Sequence, residues 1–253
     1  MKAFLVAGLA FGDEGKGGIV DALVRRYNAD LVVRFNGGAQ AAHHVLDDQG
    51  RVHCFSQFGA GHFAGASTYL SQYMMVEPLG LQNEADHLCE LTGQDPFARL
   101  YISRYAPIIT PYHRALGQVR EMARTNKHGS CGMGIGDLAA DLAEPTQLNV
   151  LRAGNCMSRQ LAVYELEKIR EQKHAESKTL LPNYNHPLFD LDPLELFSRY
   201  ESILRQARLL VGMPSAARAV FEGAQGMLLD EWYGFHPHTT WSDTTFENAE
   251  QLL

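Results

Sequence analysis

The chain opens on a nearly continuous apolar run, residues 2–9, followed at once by the glycine-rich segment GDEGKGG over 12–18. An apolar run of this length is typical of a strand buried on both faces. Residues 19–24 then predict a helix, and residues 30–35 (DLVVRF) predict a second strand. This order predicts a doubly wound, mainly parallel α/β sheet with a P-loop-like glycine loop, whose ligands bind beyond the carboxyl ends of the strands.

The middle of the chain predicts three helices, over residues 112–126, 157–177 and 193–210. Pro182 and Pro187 predict a loop between the second and the third helix. The sequence has no internal repeat and no low-complexity linker. We therefore expect a single α/β domain over residues 1–253, with these helices as excursions from the sheet.

The carboxyl-terminal part predicts a further strand with a second glycine loop after it. Residues 216–221 (AARAVF) predict the strand, and EGAQG over 222–226 predicts the loop. Residues 245–253 begin the pattern of an amphipathic helix without a C-cap. We therefore expect the natural protein to be longer, so that this domain is incomplete at its carboxyl end.

Composition excludes several classes of protein. With 253 residues, 45% of them hydrophobic and 20% charged, the chain can bury a sizeable core and is not of the disordered type. Its formal charge of −7 argues against a nucleic-acid binder but allows a small phosphorylated substrate. No stretch is apolar enough to predict a membrane span, and no signal-peptide pattern opens the chain. Four cysteines without a C-x-x-C motif favour the cytoplasm.

The glycine-rich segment predicts a phosphate site. Its glycines let backbone N–H groups close around phosphate oxygens, the helix N-terminus adds a favourable dipole, and Lys16 supplies a positive charge. It departs from a standard P-loop, because Gly17 stands where Ser or Thr would hold magnesium. A carboxylate would then have to hold the metal, and Asp13 lies inside the loop. The alternative is an ordinary glycine turn with a solvated tip.

Three further segments carry polar groups that can do chemistry. RFNGGAQAAHH over 34–44 follows the second strand, and its His43 can act as a general acid, although a His-His pair alone is more often structural. Gln225 in EGAQG can hydrogen-bond an oxyanion, and the threonine-rich segment 239–245 can bind phosphate, but both also fit a turn and a helix cap. GSCGMGIG over 129–136 is either a phosphate cradle or a mobile surface loop.

Taken together, these four segments resemble the adenylosuccinate synthetase family. GDEGKG, RFNGG…AH, GSCGMGIG and FEGAQG…LD before a threonine run occur in that family's order and at similar spacing. GGAQAAH and TTWSDTT are closer to its compact branch, which includes viral members that act on deoxyguanylate. The resemblance implies a nucleotide-ligase domain that joins L-aspartate to C6 of a purine nucleoside monophosphate through a 6-phosphoryl intermediate. It also implies GTP or ATP as co-substrate, Mg²⁺ and a homodimer.

The resemblance implies a catalytic role for three residues. Asp13 would be the base that takes the N1 proton of the purine and would also be a ligand of magnesium. His43 would be the acid that assists transfer of the γ-phosphoryl group to O6. Gln225 would hold that oxygen as the intermediate forms.

The remaining implied roles are in binding. The carbonyl oxygen of Ala42 would fill the family's backbone metal-ligand position. The nucleotide phosphates would be bound by Gly12, Gly15, Lys16 and Gly17. The monophosphate substrate would be contacted by Gln40, Ser130, Cys131 and Thr240.

Departures from the family pattern leave the substrate open. Met133 and Pro145 stand where the family has arginines, and Asp137 stands where it has proline. The members that act on deoxyguanylate tend to lose the loop aspartate, whereas Asp13 is retained here, which favours an inosinate-like substrate. Deoxyguanylate as the substrate, and a non-catalytic nucleotide-binding relative, remain the alternatives.

Overall fold

A six-stranded, entirely parallel sheet forms the centre of the computed structural model, which describes residues 1–125, 132–147 and 150–253. Its strands, in chain order, are β1 (Lys2–Gly8), β2 (Leu31–Arg34), β5 (Ser67–Leu70), β6 (Leu100–Ser103), β7 (Arg208–Leu210) and β8 (Arg218–Gly226). Their spatial order is β1-β8-β2-β5-β6-β7. A separate antiparallel hairpin consists of β3 (His43–Leu46) and β4 (Val52–Phe55).

Seven α-helices surround the sheet in the described part of the chain. They are α1 (Lys16–Tyr27), α2 (Pro78–Thr92), α3 (Pro111–Ala123), α4 (Ile135–Ala143), α5 (Arg159–Leu180), α6 (Pro193–Leu204) and α7 (Glu247–Leu252). Three begin with a proline behind a side-chain cap, as at Thr110, whose hydroxyl accepts the N–H of His113 in a capping box.

Apolar side chains cover both faces of the sheet, as in a doubly wound fold. Val32 of β2 and Val220 of β8 belong to the larger cluster, which packs against α1, α2, α3, α5 and α6. Val33 and Phe221, next to them in sequence, face the other way into a smaller cluster with Ala249 of α7. The predicted α/β class with a mainly parallel sheet is therefore confirmed.

Most predicted elements are present with shifted ends. The strands predicted over 2–9 and 30–35 and the helices over 19–24, 112–126 and 157–177 correspond to β1, β2, α1, α3 and α5. The prediction that β1 is buried on both faces is wrong, because β1 pairs only with β8 among the described strands and its Leu5 is exposed.

Two other predictions are wrong for tertiary reasons. The helix predicted over 193–210 ends at Leu204, because the following residues pair with β6 as strand β7. The EGAQG segment is not a loop but the end of β8, which lies between β1 and β2. The register against β1 shifts between Val6 opposite Glu222 and Gly8 opposite Gly226, which is a β-bulge over 223–225.

No helix in the described residues is long and apolar enough to cross a membrane.

A buried polar network joins α3, α4 and α5. Nε2 of His113 lies 3.0 Å from Oδ2 of Asp141, whose other oxygen accepts from Lys173. Asp137, one turn earlier in α4, lies 2.8 Å from Nη1 of Arg120. Burial raises the pKa of the Asp137 carboxyl to about 6, although Arg120 lowers it. The hydrogen bonds from His113 and Lys173 more than offset the effect of burial on Asp141, so its pKa is lowered.

We expect Asp137→Asn to become progressively more stable than the wild type as the pH rises from about 4 to 7. An aspartate with a raised folded-state pKa contributes stability that is present below its unfolded pKa and is lost as the pH rises through about 6. The difference can reach about 3 kcal/mol, at about 1.4 kcal/mol per pH unit. Urea unfolding at a series of pH values measures it. Asp141→Asn is the control: the pKa of Asp141 is lowered, so its stability difference from the wild type should be nearly independent of pH between about 5 and 7. A pH-independent difference for Asp137→Asn would contradict the assignment.

Candidate functional site

The loops that follow β1, β2 and β8 meet at the carboxyl edge of the sheet, because the last of these strands lies between the first two. The backbone N–H of Leu228 donates to the carbonyl of Ala10 at 3.0 Å and joins the β8 loop to the glycine loop. Gly12 has φ +103°, and a Cβ there would lie 3.0 Å from the backbone of Gln225. The glycine loop therefore touches one of the predicted catalytic residues directly.

Glu14 folds back into its own loop. Its carboxylate accepts the backbone N–H groups of Leu9 at 3.0 Å, Ala10 at 3.2 Å and Gly12 at 3.2 Å. Residue 12, predicted to bind nucleotide phosphates, thus donates its N–H to Glu14 in this structure. In the sequence, the only signal for this role of Glu14 is a carboxylate two residues after a glycine turn.

Lys16 is buried at the beginning of α1, and its Nζ donates to the carbonyl of Gly12 at 2.7 Å. Burial lowers the pKa of this lysine, although Glu14 and Glu222 raise it. Gly15 caps α1 in a left-handed conformation without a side-chain hydrogen bond to the first turn. The first N–H groups of the helix are therefore left to bind an anion beside the lysine.

His43 begins the β3 strand and packs against the same helix terminus. Its Nδ1 lies 2.5 Å from Oε1 of Glu222, while Oε2 of Glu222 accepts the N–H of Ala60 at 2.9 Å. Burial alone would raise the pKa of the Glu222 carboxyl, but the charge of Arg34 and the hydrogen bond to His43 lower it. An ionised carboxylate only accepts hydrogen bonds, so Nδ1 carries a proton. The motifs in the sequence indicate His43 but not the carboxylate that contacts it.

Asn36, directly after β2, joins three segments of the site. Its amide nitrogen donates to the carbonyl of Asp243 at 2.9 Å, and its amide oxygen accepts the N–H of Ala224 at 2.7 Å. The neighbouring N–H of Gly37 donates to Oγ of Ser242 at 3.2 Å. The threonine-rich segment is thereby held against β2 and β8.

Asp230 shapes the loop that carries Thr240. One oxygen accepts the N–H groups of Trp232 and Tyr233, and the other accepts the N–H of Thr244 at 2.7 Å. These bonds outweigh burial and lower the pKa of the Asp230 carboxyl. Thr240 itself is half-buried, and its N–H donates to the carbonyl of Leu229 at 2.7 Å.

The other predicted residues differ in burial, in hydrogen bonding and in backbone conformation. Gln40 has both amide atoms buried without a hydrogen-bond partner among the described residues, which is costly unless a ligand completes them. Gln225 has φ +67°, a left-handed conformation that side chains other than glycine rarely adopt and that is typical of functional positions. Asp13 and Ala42 are exposed. Ser130 and Cys131 lie outside the described residues.

A cleft of about 810 Å³ lies next to the threonine-rich segment. Tyr73, Tyr105, Arg152, Trp232 and Trp241 are among its lining residues. Trp241, Ser242 and Asp243 of the threonine-rich segment line it, whereas the described residues that were assigned individual catalytic or binding roles do not. The predicted catalytic residues Asp13, His43 and Gln225 therefore lie outside this cleft.

The structure combines a parallel α/β sheet with a lysine-bearing glycine loop at the start of a helix. These features define an α/β protein of the P-loop-like class. The model of one family, described as adenylosuccinate synthetase, matches residues 5–252. The chain belongs to the adenylosuccinate synthetase family.

Curated relatives agree with this assignment. The adenylosuccinate synthetase of Porphyromonas gingivalis (strain ATCC BAA-308 / W83) is 33% identical over 253 residues, which are 96% of this chain and 57% of that protein. That of Clostridium botulinum (strain 657 / Type Ba4) is 32% identical over 256 residues, with the same coverage. The chain thus spans a little over half the length of the curated relatives it matches.

Two solved structures share the fold. Fully ligated adenylosuccinate synthetase from Plasmodium falciparum superposes with a TM-score of 0.81 at 23% identity, over 100% of this chain and 58% of that one. The succinoaminodeoxyadenylate synthetase of cyanophage S-2L, bound to dGMP and to dATP as an energy donor, has a TM-score of 0.60 at 18% identity, over 99% of this chain and 59% of that one.

We expect Gly17→Ala to destabilise the protein by about 1–3 kcal/mol, as overpacking does. A Cβ at Gly17 would lie 2.9 Å from the carbonyl carbon of His43, so α1 and β3 would have to separate. The matched control is Gly18→Ala, where a Cβ meets no heavy atom within 4 Å and a helical alanine gains about 0.5 kcal/mol. Urea unfolding compares the two. Equal stabilities would contradict the close approach of the helix to His43.

Proposed function

We propose that this protein is a ligase that joins L-aspartate to C6 of a purine nucleoside monophosphate through a 6-phosphoryl intermediate, with GTP or ATP as co-substrate. The observation that carries the proposal is His43, buried and held by Glu222, beside the glycine loop that bears Asp13 and Lys16. Family membership over residues 5–252 supports it.

The chemistry explains why these groups belong together. O6 of a purine is a poor leaving group until it is phosphorylated, so the site needs a base at N1, an acid beside the transferred phosphoryl group and donors aimed at O6. We assign these roles to Asp13, His43 and Gln225. Lys16 and the backbone N–H groups of Gly15 and Gly17 would neutralise and orient the nucleotide phosphates.

Magnesium fits the donors that the chain offers. Mg²⁺ prefers oxygen ligands and usually takes one or two carboxylates together with substrate phosphates rather than a cage made by the protein alone. Asp13 supplies an exposed carboxylate and Ala42 an exposed backbone position, and the described residues contain no cluster of three metal-ligating side chains. Asp13 and the carbonyl of Ala42 would hold the ion, which would neutralise charge on the phosphates.

The monophosphate would bind at Gln40, Thr240, Ser130 and Cys131. The unpartnered amide of Gln40 supports its part in this, since a ligand would complete it. Retention of Asp13 favours an inosinate-like base over deoxyguanylate, because a 2-amino purine needs no N1 deprotonation of the inosine kind. We further infer a homodimer in the cytoplasm, on the grounds of family membership and of the free thiols of Cys54, Cys89 and Cys156, the cysteines that the structure describes.

We expect the purified protein, supplied with Mg²⁺, L-aspartate, inosine monophosphate and GTP or ATP, to form a succinyl-purine nucleotide together with nucleoside diphosphate and phosphate. Chromatography of the products measures this, and deoxyguanylate in place of inosine monophosphate decides between the two substrates. Absence of product in every combination would refute the proposal. Nucleotide binding by calorimetry without turnover would instead support the non-catalytic alternative.

We expect Asp13→Ala and His43→Asn each to lower kcat by about 100-fold or more, because each removes a proton-transferring group. Asp48→Ala and His87→Asn are matched controls, since both side chains are exposed and lie outside the three loops. Circular dichroism establishes that all four variants fold. Turnover of either Asp13→Ala or His43→Asn at the wild-type rate would remove that residue from the mechanism.

A further inference from the structure

Two imidazoles meet between strand β4 and helix α2, outside the three loops of the candidate site. Nδ1 of His53 lies 2.9 Å from Nδ1 of His87, and the ring centroids are 4.9 Å apart. His53 is only 3% exposed, whereas His87 lies at the surface. Neither histidine has a part in the proposed reaction, so the pair is open to another role.

The ring of His53 is held in place by its aromatic neighbours. It packs edge-on against Phe55 at a centroid distance of 4.5 Å and against Phe63 at 6.4 Å. These contacts restrict the rotation of the ring and keep its Nδ1 directed at His87. A group whose direction is fixed in advance loses little conformational freedom when it binds a ligand.

A buried carboxylate lies on the other side of His53. Oε1 of Glu84 is 3.6 Å from Nε2 of His53, close enough for an electrostatic interaction. The carboxylate is fixed by the backbone N–H groups of Ser56 at 3.0 Å and Gln57 at 2.8 Å, which it accepts. A carboxylate near the other ring nitrogen is the usual environment of a histidine that binds a metal ion, because it orients the ring and strengthens the ligand.

The distance between the two Nδ1 atoms is close to what one metal ion requires. Zn²⁺ binds imidazole nitrogens at about 2.0–2.1 Å in a tetrahedral arrangement, which places two of them about 3.3 Å apart. The pair at 2.9 Å would have to open by only about 0.4 Å, and the exposed side chain of His87 can supply this by a small rotation. The alternative is a hydrogen bond in which the two nitrogens share one proton.

We propose that His53 and His87 form a binding site for one divalent transition-metal ion of the Zn²⁺ type, separate from the proposed magnesium site. The two Nδ1 atoms supply two ligands and water supplies the others, since the described residues contain no cluster of three metal-ligating side chains. The ion links the β3–β4 hairpin, which begins at His43, to α2. This inference does not depend on the proposed function.

Calorimetry with Zn²⁺ in the presence of excess Mg²⁺ tests the site, because Mg²⁺ occupies oxygen ligands but competes poorly for imidazole. We expect one tightly bound Zn²⁺ per chain. His87→Ala and His53→Phe should each weaken binding by at least about 10-fold, since even a group behind a ligand contributes that much. His87 is exposed, so its variant is expected to fold, and phenylalanine at position 53 retains the aromatic packing.

Cys89→Ser and His238→Ala are the matched controls. Cys89 is an exposed thiol two residues after His87 in α2, and His238 is an exposed histidine two residues after His236. Both variants should bind Zn²⁺ as the wild type does. The proposal is overturned if the wild type binds no Zn²⁺ tightly, or if a folded His53→Phe or His87→Ala binds it as the wild type does. Loss of binding in either control also overturns it, because the ion would then lie elsewhere.

Unfolding and hydrogen exchange supply a second readout. An ion at about 100 times its Kd should raise the Tm of the wild type by about 5 °C and leave that of His87→Ala unchanged. Zn²⁺ should also slow the exchange of the amides of β3 and β4, because the hairpin is then tied to α2. Unchanged exchange in the Zn²⁺-bound wild type would contradict this link. Turnover with Mg²⁺ should be the same in His87→Ala as in the wild type.

Discussion

Glu222 is a carboxylate without exposed surface in an interior strand of the sheet. The arrangement of the site depends on the groups that compensate the buried charge of this carboxylate. Three groups do so from three different elements: Arg34 from β2, His43 from the hairpin and the N–H of Ala60 from the turn before β5. Each compensating contact also fixes where its element lies. The contact between His43 and Glu222 thereby holds the β3–β4 hairpin against the end of β8.

A second constraint is topological. β8 is the last strand in sequence, yet it lies between β1 and β2, so residues almost 190 positions apart become neighbours, as in the bond between Asn36 and Ala224. The glycine loop, the amide of Asn36 and the threonine-rich segment can meet only when β8 has been inserted. The candidate site therefore belongs to the completed sheet and to no local segment of the chain.

Local patterns in the sequence are sufficient to predict most helices and strands, but not the contacts between them. The apolar run and the glycine loop predicted β1 and α1 because both signals are local, and the same motifs led to His43. Glu222 carried no signal of its own, because its importance comes from lying opposite Arg34 and below His43 after the sheet forms. The two glycines of EGAQG are typical of a loop and of a bulge alike, so the sequence does not distinguish the bulge in β8 from a loop.

The acid and the base of the proposed mechanism are supported in different ways. His43 is buried and fixed by a carboxylate, whereas Asp13 is exposed and makes no side-chain hydrogen bond among the described residues. What orients Asp13 is its neighbour Glu14, whose bonds to the N–H groups of Leu9, Ala10 and Gly12 close the loop on itself. The two adjacent carboxylates therefore differ in role. Glu14 fixes the backbone of the loop, and the side chain of Asp13 remains accessible to a purine or a metal ion.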